Sequence, residues 1–305
     1  MNKPTAIIQS ETTVFTEKVS MPRVSIGMPI YNGDNYVEQT LKSLLAQSFE
    51  NFELIISDNG STDKTREICL TYAAADPRIH YQRSDQNRGA SWNFNNVVDL
   101  ARAEFFMWAA HDDLWDPQYI ERCADILSQN SEIVICYTAT QEISADGELG
   151  RKFAINPRLG SSKPHERFGA SWRYPPHIPV FGLIRTDALR KTRLIGNFSS
   201  SDRVLVGHLA LLGPFHGIED FLFFYRRHKK QSTGGQYRNR QELIEWYDPK
   251  KRAKLTFPMW RLLLEHMVSI KSVSLNIKER IACYASLFRW TVRQRWYLLN
   301  NFILR

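Results

Sequence analysis

From Arg23 onward, short apolar runs alternate with stretches whose apolar positions recur every three or four residues, the two periodicities of buried strands and of amphipathic helices. Val24-Ser25-Ile26-Gly27-Met28 reads as a strand, and Val37, Leu41, Leu44 and Leu45 then fall at i, i+4, i+7 and i+8, one stripe of a helix. The run over 52–57 predicts a second strand, followed by a helix over 64–75 with Asp63 as its N-cap. A third short strand is expected over 79–82, a helix over 91–101 and a fourth strand over 105–109. A helix then opens at Pro117 with Asp116 as its cap and Ile120, Ala124 and Leu127 on its stripe, before a strand over 133–137. Such alternation, with connections too long for hairpins, implies an α/β fold: a mostly parallel sheet covered by helices on both faces.

After about Gly150 the pattern loosens, because Pro157, Pro164, Pro175, Pro176 and Pro179 interrupt it. It resumes with a strand over 180–184, a helix over 202–212 and an apolar run over 221–225 that ends in Arg226-Arg227-His228-Lys229-Lys230. Two helices follow, over 258–270 and 277–299. The division expected is a loose tail over 1–20, an α/β unit over 21–235 and a helical extension over 236–305.

Composition changes this picture little. The 305 residues suffice for a large core, with 43% hydrophobic and 24% charged residues. Forty Lys and Arg against thirty-two Asp and Glu leave a net charge of +8, which tilts partners toward phosphorylated molecules and anionic membrane surfaces. Charge alone would also suit a nucleic-acid binder, but no recognition motif for DNA or RNA accompanies it. The four cysteines are scattered with no CxxC spacing, as expected of buried reduced thiols in a cytoplasmic protein. No run approaches the roughly 18 apolar residues of a membrane span, and residues 1–20 lack the apolar core of a signal peptide.

The candidate chemistry lies at the strand ends. Asp112 and Asp113 close an apolar run between Trp108 and Trp115. Asp is poor strand material, so the pair is either a loop ahead of a helix or a set of oxygen ligands for a hard divalent cation. In an open parallel sheet, ligands bind beyond the carboxyl ends of the strands. The first strand ends in Pro29-Ile30-Tyr31-Asn32-Gly33, the second in Asp58-Asn59-Gly60-Ser61-Thr62-Asp63 and the fourth in His111-Asp112-Asp113, so three segments deliver polar groups to one edge. Neither GxGxxG nor GxxxxGK[ST] is present, which argues against a dinucleotide dehydrogenase and a P-loop NTPase.

Met28-Pro29-Ile30-Tyr31-Asn32-Gly33, Ser57-Asp58-Asn59-Gly60-Ser61-Thr62-Asp63, Asn87-Arg88-Gly89 with Asn93, and His111-Asp112-Asp113-Leu114-Trp115 together resemble, in order and spacing, the family 2 glycosyltransferases of GT-A fold. The likeness covers roughly the first 140 residues, with weaker matches to about His228. It implies an inverting enzyme that moves a sugar from a UDP-sugar or dTDP-sugar to a hydroxyl of a saccharide or lipid-linked acceptor, in surface polysaccharide assembly. The stretch 21–140 would then hold the nucleotide-sugar and 141–235 the acceptor.

By the same resemblance, Pro29, Tyr31 and Asn32 line the base and ribose pocket, joined by Asn59, Arg88, Asn93 and His111, and Asp58 accepts a base N–H. The residues alone also allow Asp58 as a turn former ahead of Asn59-Gly60. Asp112 takes the place of the metal-binding carboxylate, holding Mg2+ or Mn2+, and His228 completes the metal or diphosphate site. Ala110 stands where the family usually has the first acid of an Asp-x-Asp signature. Either Asp113 makes the ribose contacts or the site binds donor poorly. Asp202 falls at the place of the catalytic base, although by itself it reads equally as a helix N-cap, and Ser201 replaces the acid that often precedes it. These two departures motivate the alternative of a catalytically impaired nucleotide-binding homologue. Trp172, Tyr174 and His177 are candidates for an acceptor wall.

At the C-terminus, Ile281, Tyr284, Ala285, Phe288, Val292, Trp296, Leu299 and Ile303 recur at helical spacing among Arg280, Arg289, Arg293 and Arg295. Such a helix packs on the catalytic unit or on a twin subunit in a homodimer, or lies peripherally on the inner face of the plasma membrane.

Overall fold

The computed structural model describes residues 21–172, 178–229, 240–250 and 258–296. Strand β1 (Val24–Ile30) runs parallel to β2 (Phe52–Asp58) in a register from Val24 opposite Phe52 to Ile30 opposite Asp58, and every residue of both is buried. That burial on two faces is why both strands read as continuous apolar runs. Helix α1 (Val37–Leu45) crosses between them and buries Val37, Thr40, Leu41 and Leu44. Then follow α2 (Thr65–Ala75), β3 (Ile79–Arg83), α3 (Ala90–Leu100), β4 (Phe105–Trp108), the two-residue β5 (Leu114–Trp115) and α4 (Tyr119–Gln129). The remaining elements are β6 (Ile135–Ser144), β7 (Leu149–Phe153), α5 (Pro164–Ala170), β8 (Leu183–Arg185), α6 (Thr186–Arg190), α7 (Ser201–Leu212), β9 (Phe215–Arg227), α8 (Arg240–Tyr247), α9 (Pro258–Ser272) and α10 (Ile277–Arg293).

Among the described residues, nine strands form one sheet in the order β3-β2-β1-β4-β8-β6-β9-β5, with β7 paired to β6. β1 to β4 are parallel, as is the β6–β9 pair, while β8, β7 and β5 run against their neighbours. The result is a mixed, mostly parallel sheet with helices on both faces. One core joins α1, α2 and α4 to Ile26, Met28 and Leu54, and the other joins α3, α6 and α7 to Ile55, Phe106 and Trp108. A third, smaller core of Phe168, Leu211, Ile270, Cys283 and Leu287 ties α5, α7, α9 and α10 together. All four cysteines are buried and free.

The structure departs from the sequence expectation where polarity hides a strand. The hairpin of β6 and β7 turns through Gly147 at φ +91°, and four of the five β7 residues are exposed, so no apolar run marked it. Two expected caps are displaced. Asp63 lies two residues before α2 and accepts from the Thr65 N–H (3.0 Å), and Asp116 likewise accepts from the Gln118 N–H (3.0 Å), so each still satisfies a main-chain donor near the helix start. Asp202 is no cap at all, because α7 begins at Ser201 and Ser200 flanks it at φ 62°.

Candidate active site

Hydrogen bonds lace the first two strand ends together. The Asn32 N–H donates to Ser61 Oγ (2.9 Å), the Gly33 N–H to Thr65 Oγ1 (2.8 Å), and the Thr62 N–H to Asn32 Oδ1 (2.9 Å). Asn32 sits at φ 52°, a left-handed conformation that Asn tolerates better than most residues. Tyr31 is 40% exposed beside it, whereas Pro29 is buried within β1 opposite Ser57. Tyr31 and Asn32 are therefore exposed on this edge, and Pro29 is enclosed in the sheet.

Asp58 ends β2 with its side chain fully enclosed. Its Oδ1 accepts from the Ser61 N–H (2.8 Å), and its Oδ2 accepts from the Tyr81 hydroxyl (2.7 Å) and lies 3.5 Å from Arg83 Nε. The turn-forming role is thus realised, and the carboxylate shows no open face to a base. Asn59, 2% exposed, is a brace: its amide donates to Asn87 Oδ1 (2.9 Å) and accepts from the Arg88 N–H (2.9 Å). Asn93 is also buried, donating to the Ile30 carbonyl (3.2 Å) and leaving its own amide oxygen without a partner. Arg88 reaches the surface, its guanidinium 4.2 Å from the ring centre of Trp92.

The fourth strand end arrives next to the first. A Cβ added to Gly33 would stand 2.4 Å from His111 Cδ2 and 2.9 Å from Ile30 Cδ1, so only glycine lets His111 close against this loop. β2 and β4 both flank β1, which puts Asp58 and the Asp112 segment on one edge, about 10 Å apart by two strand spacings.

Asp112 meets His228 there across 116 positions of sequence, with Asp112 Oδ2 and His228 Nε2 at 2.9 Å and their side chains 14% and 9% exposed. β5 delivers the contact by pairing antiparallel with β9, Leu114 opposite Phe224, a register that carries Asp112 toward the end of β9. Burial raises the Asp112 carboxyl, but the His228 hydrogen bond and the charges of His111 and His228 outweigh it and hold the group below its usual range.

Asp113 turns the other way. It is 1% exposed, its Oδ1 accepts from the Arg226 N–H (2.8 Å), and burial together with the Asp112 charge pushes its carboxyl well above the ordinary value. It therefore anchors β9 through Oδ1, while its buried Oδ2 has no hydrogen-bond partner among the described residues.

In the sequence Arg226 stood only as the first of a basic run, with no role of its own. Although 1% exposed, its guanidinium donates to the Asp112 carbonyl (2.8 Å), the Ala145 carbonyl (3.1 Å) and Gln39 Oε1 (2.8 Å), and lies 4.7 Å from the Tyr36 ring centre. Tyr36 in turn packs on the His228 ring at 4.8 Å between centroids. The only sequence signal was an arginine closing an apolar strand.

Asp202 lies in the first turn of α7, where the helix dipole favours a carboxylate. The loop before it is pinned to α3, since the Ile195 carbonyl accepts from Ser91 Oγ (2.7 Å) and Asn95 Nδ2 (3.0 Å). Tyr247 joins the two regions. Its hydroxyl accepts from the Ser200 N–H (3.3 Å), its side chain is raised by burial and by Asp202 nearby, and its carbonyl is the atom a Cβ on Gly89 would strike at 2.4 Å. Trp172 packs its indole among Phe168 (4.5 Å), His266 (5.2 Å) and Trp290 (5.6 Å), joining α5 to the C-terminal helices. Tyr174 and His177 lie outside the described residues.

Asp112 Oδ2 and His228 Nε2 fit adjacent vertices of a metal octahedron, whose edge is about 3 Å for bonds near 2.1 Å. Among the described residues no set of three His, Cys, Asp or Glu gathers, so protein would supply only part of such a shell.

Comparison with known proteins bears on this edge. The family described as Glycosyl transferase family 2 matches residues 25–193. An uncharacterised glycosyltransferase of Rickettsia typhi is 35% identical over 116 residues, 37% of this chain and 35% of that one. The Bacillus subtilis protein TuaG, described as a putative teichuronic acid biosynthesis glycosyltransferase, is 32% identical over 136 residues, 45% of this chain and 54% of its own. The chain thus spans about a third to a half of these relatives' lengths. Among solved structures, S. aureus TarS 1–349 in complex with UDP-GlcNAc superposes with a TM-score of 0.67 at 15% identity, over 92% of this chain and 79% of the other.

Proposed function

Since the chain belongs to the family 2 glycosyltransferases, we propose that it transfers a sugar, with inversion, from a UDP-sugar or dTDP-sugar to a hydroxyl of a saccharide or lipid-linked acceptor in surface polysaccharide assembly. The observation that carries this reading is the Asp112–His228 pair, held at 2.9 Å on the same sheet edge as Asp58.

In this reading Tyr31 and Asn32 border the base and ribose, Arg88 approaches the phosphates, and Asn59 and Asn93 shape the wall behind them. Asp58 receives the base N–H once Arg83, whose 3.5 Å contact is the longest of its three and whose side chain is 30% exposed, swings to solvent. Asp112 and His228 would hold Mg2+ or Mn2+, which would supply charge neutralisation for the departing diphosphate without any proton transfer. Asp202 removes the acceptor hydroxyl proton as that oxygen forms its bond to the anomeric carbon and the bond to the diphosphate oxygen breaks. The names of TuaG, with its teichuronic acid, and of the TarS complex with UDP-GlcNAc support the donor and product class.

The test is nucleotide release from a panel of UDP-, dTDP- and GDP-sugars with and without Mn2+, paired with thermal shifts by the free nucleotides. We expect UDP release that needs the ion and disappears in Asp112→Ala. Turnover unchanged in that variant, or melting unmoved by every nucleotide, overturns the reading.

A further inference from the structure

Helix α10 carries two apolar faces. One is spent inside the molecule, where Cys283 and Leu287 are buried and Trp290 packs on Trp172. The other is bare: Ile277 is 71% exposed, Ile281 62%, Phe288 68% and Val292 41%, and Trp296 just beyond the helix end is 64% exposed. At 3.6 residues per turn these five positions fall within about 100° of the circumference, nearly opposite the buried face. The tertiary packing therefore fixes the stripe outward, where a helix with a single apolar face would have hidden it.

Charge identifies what covers it. Lys278, Arg289, Arg293 and Arg295 are exposed beside the stripe, while the acid Glu279 is turned inward to His165 (2.8 Å). A symmetric contact between two copies would set four cations of one against four of the other within a single helix width. An anionic lipid surface instead neutralises them while taking the apolar side chains, and the exposed Trp suits the boundary between headgroups and acyl chains. No helix among the described residues is long and apolar enough to cross a membrane, so the contact envisaged is α10 lying in the interface plane.

We propose that the outward face of α10, from Ile277 to Val292 with Trp296, docks this protein on an anionic membrane surface. Docking holds the half of the molecule bearing Asp202 against the bilayer, because α10 packs on α5 and α9, which flank α7. The surface stands on α10 alone and does not depend on the identity of the sugar or on turnover.

The experiment is co-sedimentation of the full chain with phosphatidylcholine vesicles, pure or mixed equally with phosphatidylglycerol, at low and high salt. The chain should pellet with the anionic vesicles at least about tenfold more strongly than with the neutral ones, and less at high salt. Combining Ile281→Glu with Phe288→Glu should weaken that binding at least about tenfold and leave the melting temperature unchanged, since both side chains are exposed. Combining Arg289→Glu with Arg293→Glu should abolish the preference for anionic lipid. No pelleting with either vesicle, equal binding of wild type and the Ile281→Glu, Phe288→Glu variant, or a dimer in sedimentation velocity that this variant dissolves would overturn the proposal.

Discussion

The sheet edge that the proposed function makes the donor edge and the helical half around α7 are stabilised in opposite ways. At the donor edge, side chains bond main chain: Asn32, Asp58, Asn59, Ser61 and Thr65 each fix the backbone of a neighbouring loop. In the helical half, order comes from packing of elements far apart in sequence, with Phe168, Trp172, His266 and Trp290 forming one aromatic cluster. The contrast suits the two tasks that the proposed function gives these halves. A polar ligand needs donors and acceptors set in advance, and hydrogen-bonded loops set them. A carboxylate at a helix start needs only a rigid helix, and α7 is clamped by cores on two sides. Strain marks the junction, since Asn32 and Ser200, in left-handed conformations, stand in the loops that bear on the two sites.

The largest effect should come from separating the two halves chemically. Asp202→Asn is expected to lower kcat by about 10² to 10⁴, while UDP still raises the melting temperature as in wild type, which would confine the damage to the acceptor side. Next is Arg226→Met, which removes a buried cation from Asp113 and strips the carbonyls of Asp112 and Ala145 of their donor. A loss of about 1–3 kcal/mol in urea denaturation is expected from the buried acceptors left without their donor. A loss below about 1 kcal/mol would mean that the donor edge does not depend on this anchor.

Gly89→Ala probes the bridge between the halves. At φ +90° and 2.4 Å from the Tyr247 carbonyl, an added methyl must displace α8, at a cost above about 1 kcal/mol. Its kinetic signature should be a lower kcat together with a higher KM for donor, because Tyr247 touches both Ser200 and the Gly89 loop.

The gentlest test is acid. Burial, and then Arg203, push the His266 imidazole down to about 3 from a reference of 6.5. Between those values the unfolded chain binds a proton that the folded chain refuses, so stability is full above pH 6.5 and declines on acidification by at most about 1.4 kcal/mol per pH unit. Asp112 behaves differently: its lowered carboxyl contributes above its reference value of 3.8, and that contribution is lost only as pH falls through the lower folded value. Stability measured between pH 7 and pH 5 should therefore fall in wild type and fall less steeply in His266→Gln.

What the sequence determined by itself was whatever depends on local burial. The order and kind of the first four strands and their helices followed from periodicity, and the gathering of Tyr31, Asn32, Asp58 and Asp112 on one edge followed from the rule for parallel sheets. Tertiary structure alone decided how each polar group is used. The register of β5 against β9 set His228 beside Asp112 and turned Asp113 inward to Arg226. Packing of α10 on α5 and α9 chose which of its two apolar faces stays outside. Periodicity reports whether a position is shielded from water, because that depends on its own side chain and its near neighbours. The partner of a carboxylate depends on which distant strand lies alongside, and no local pattern carries that information.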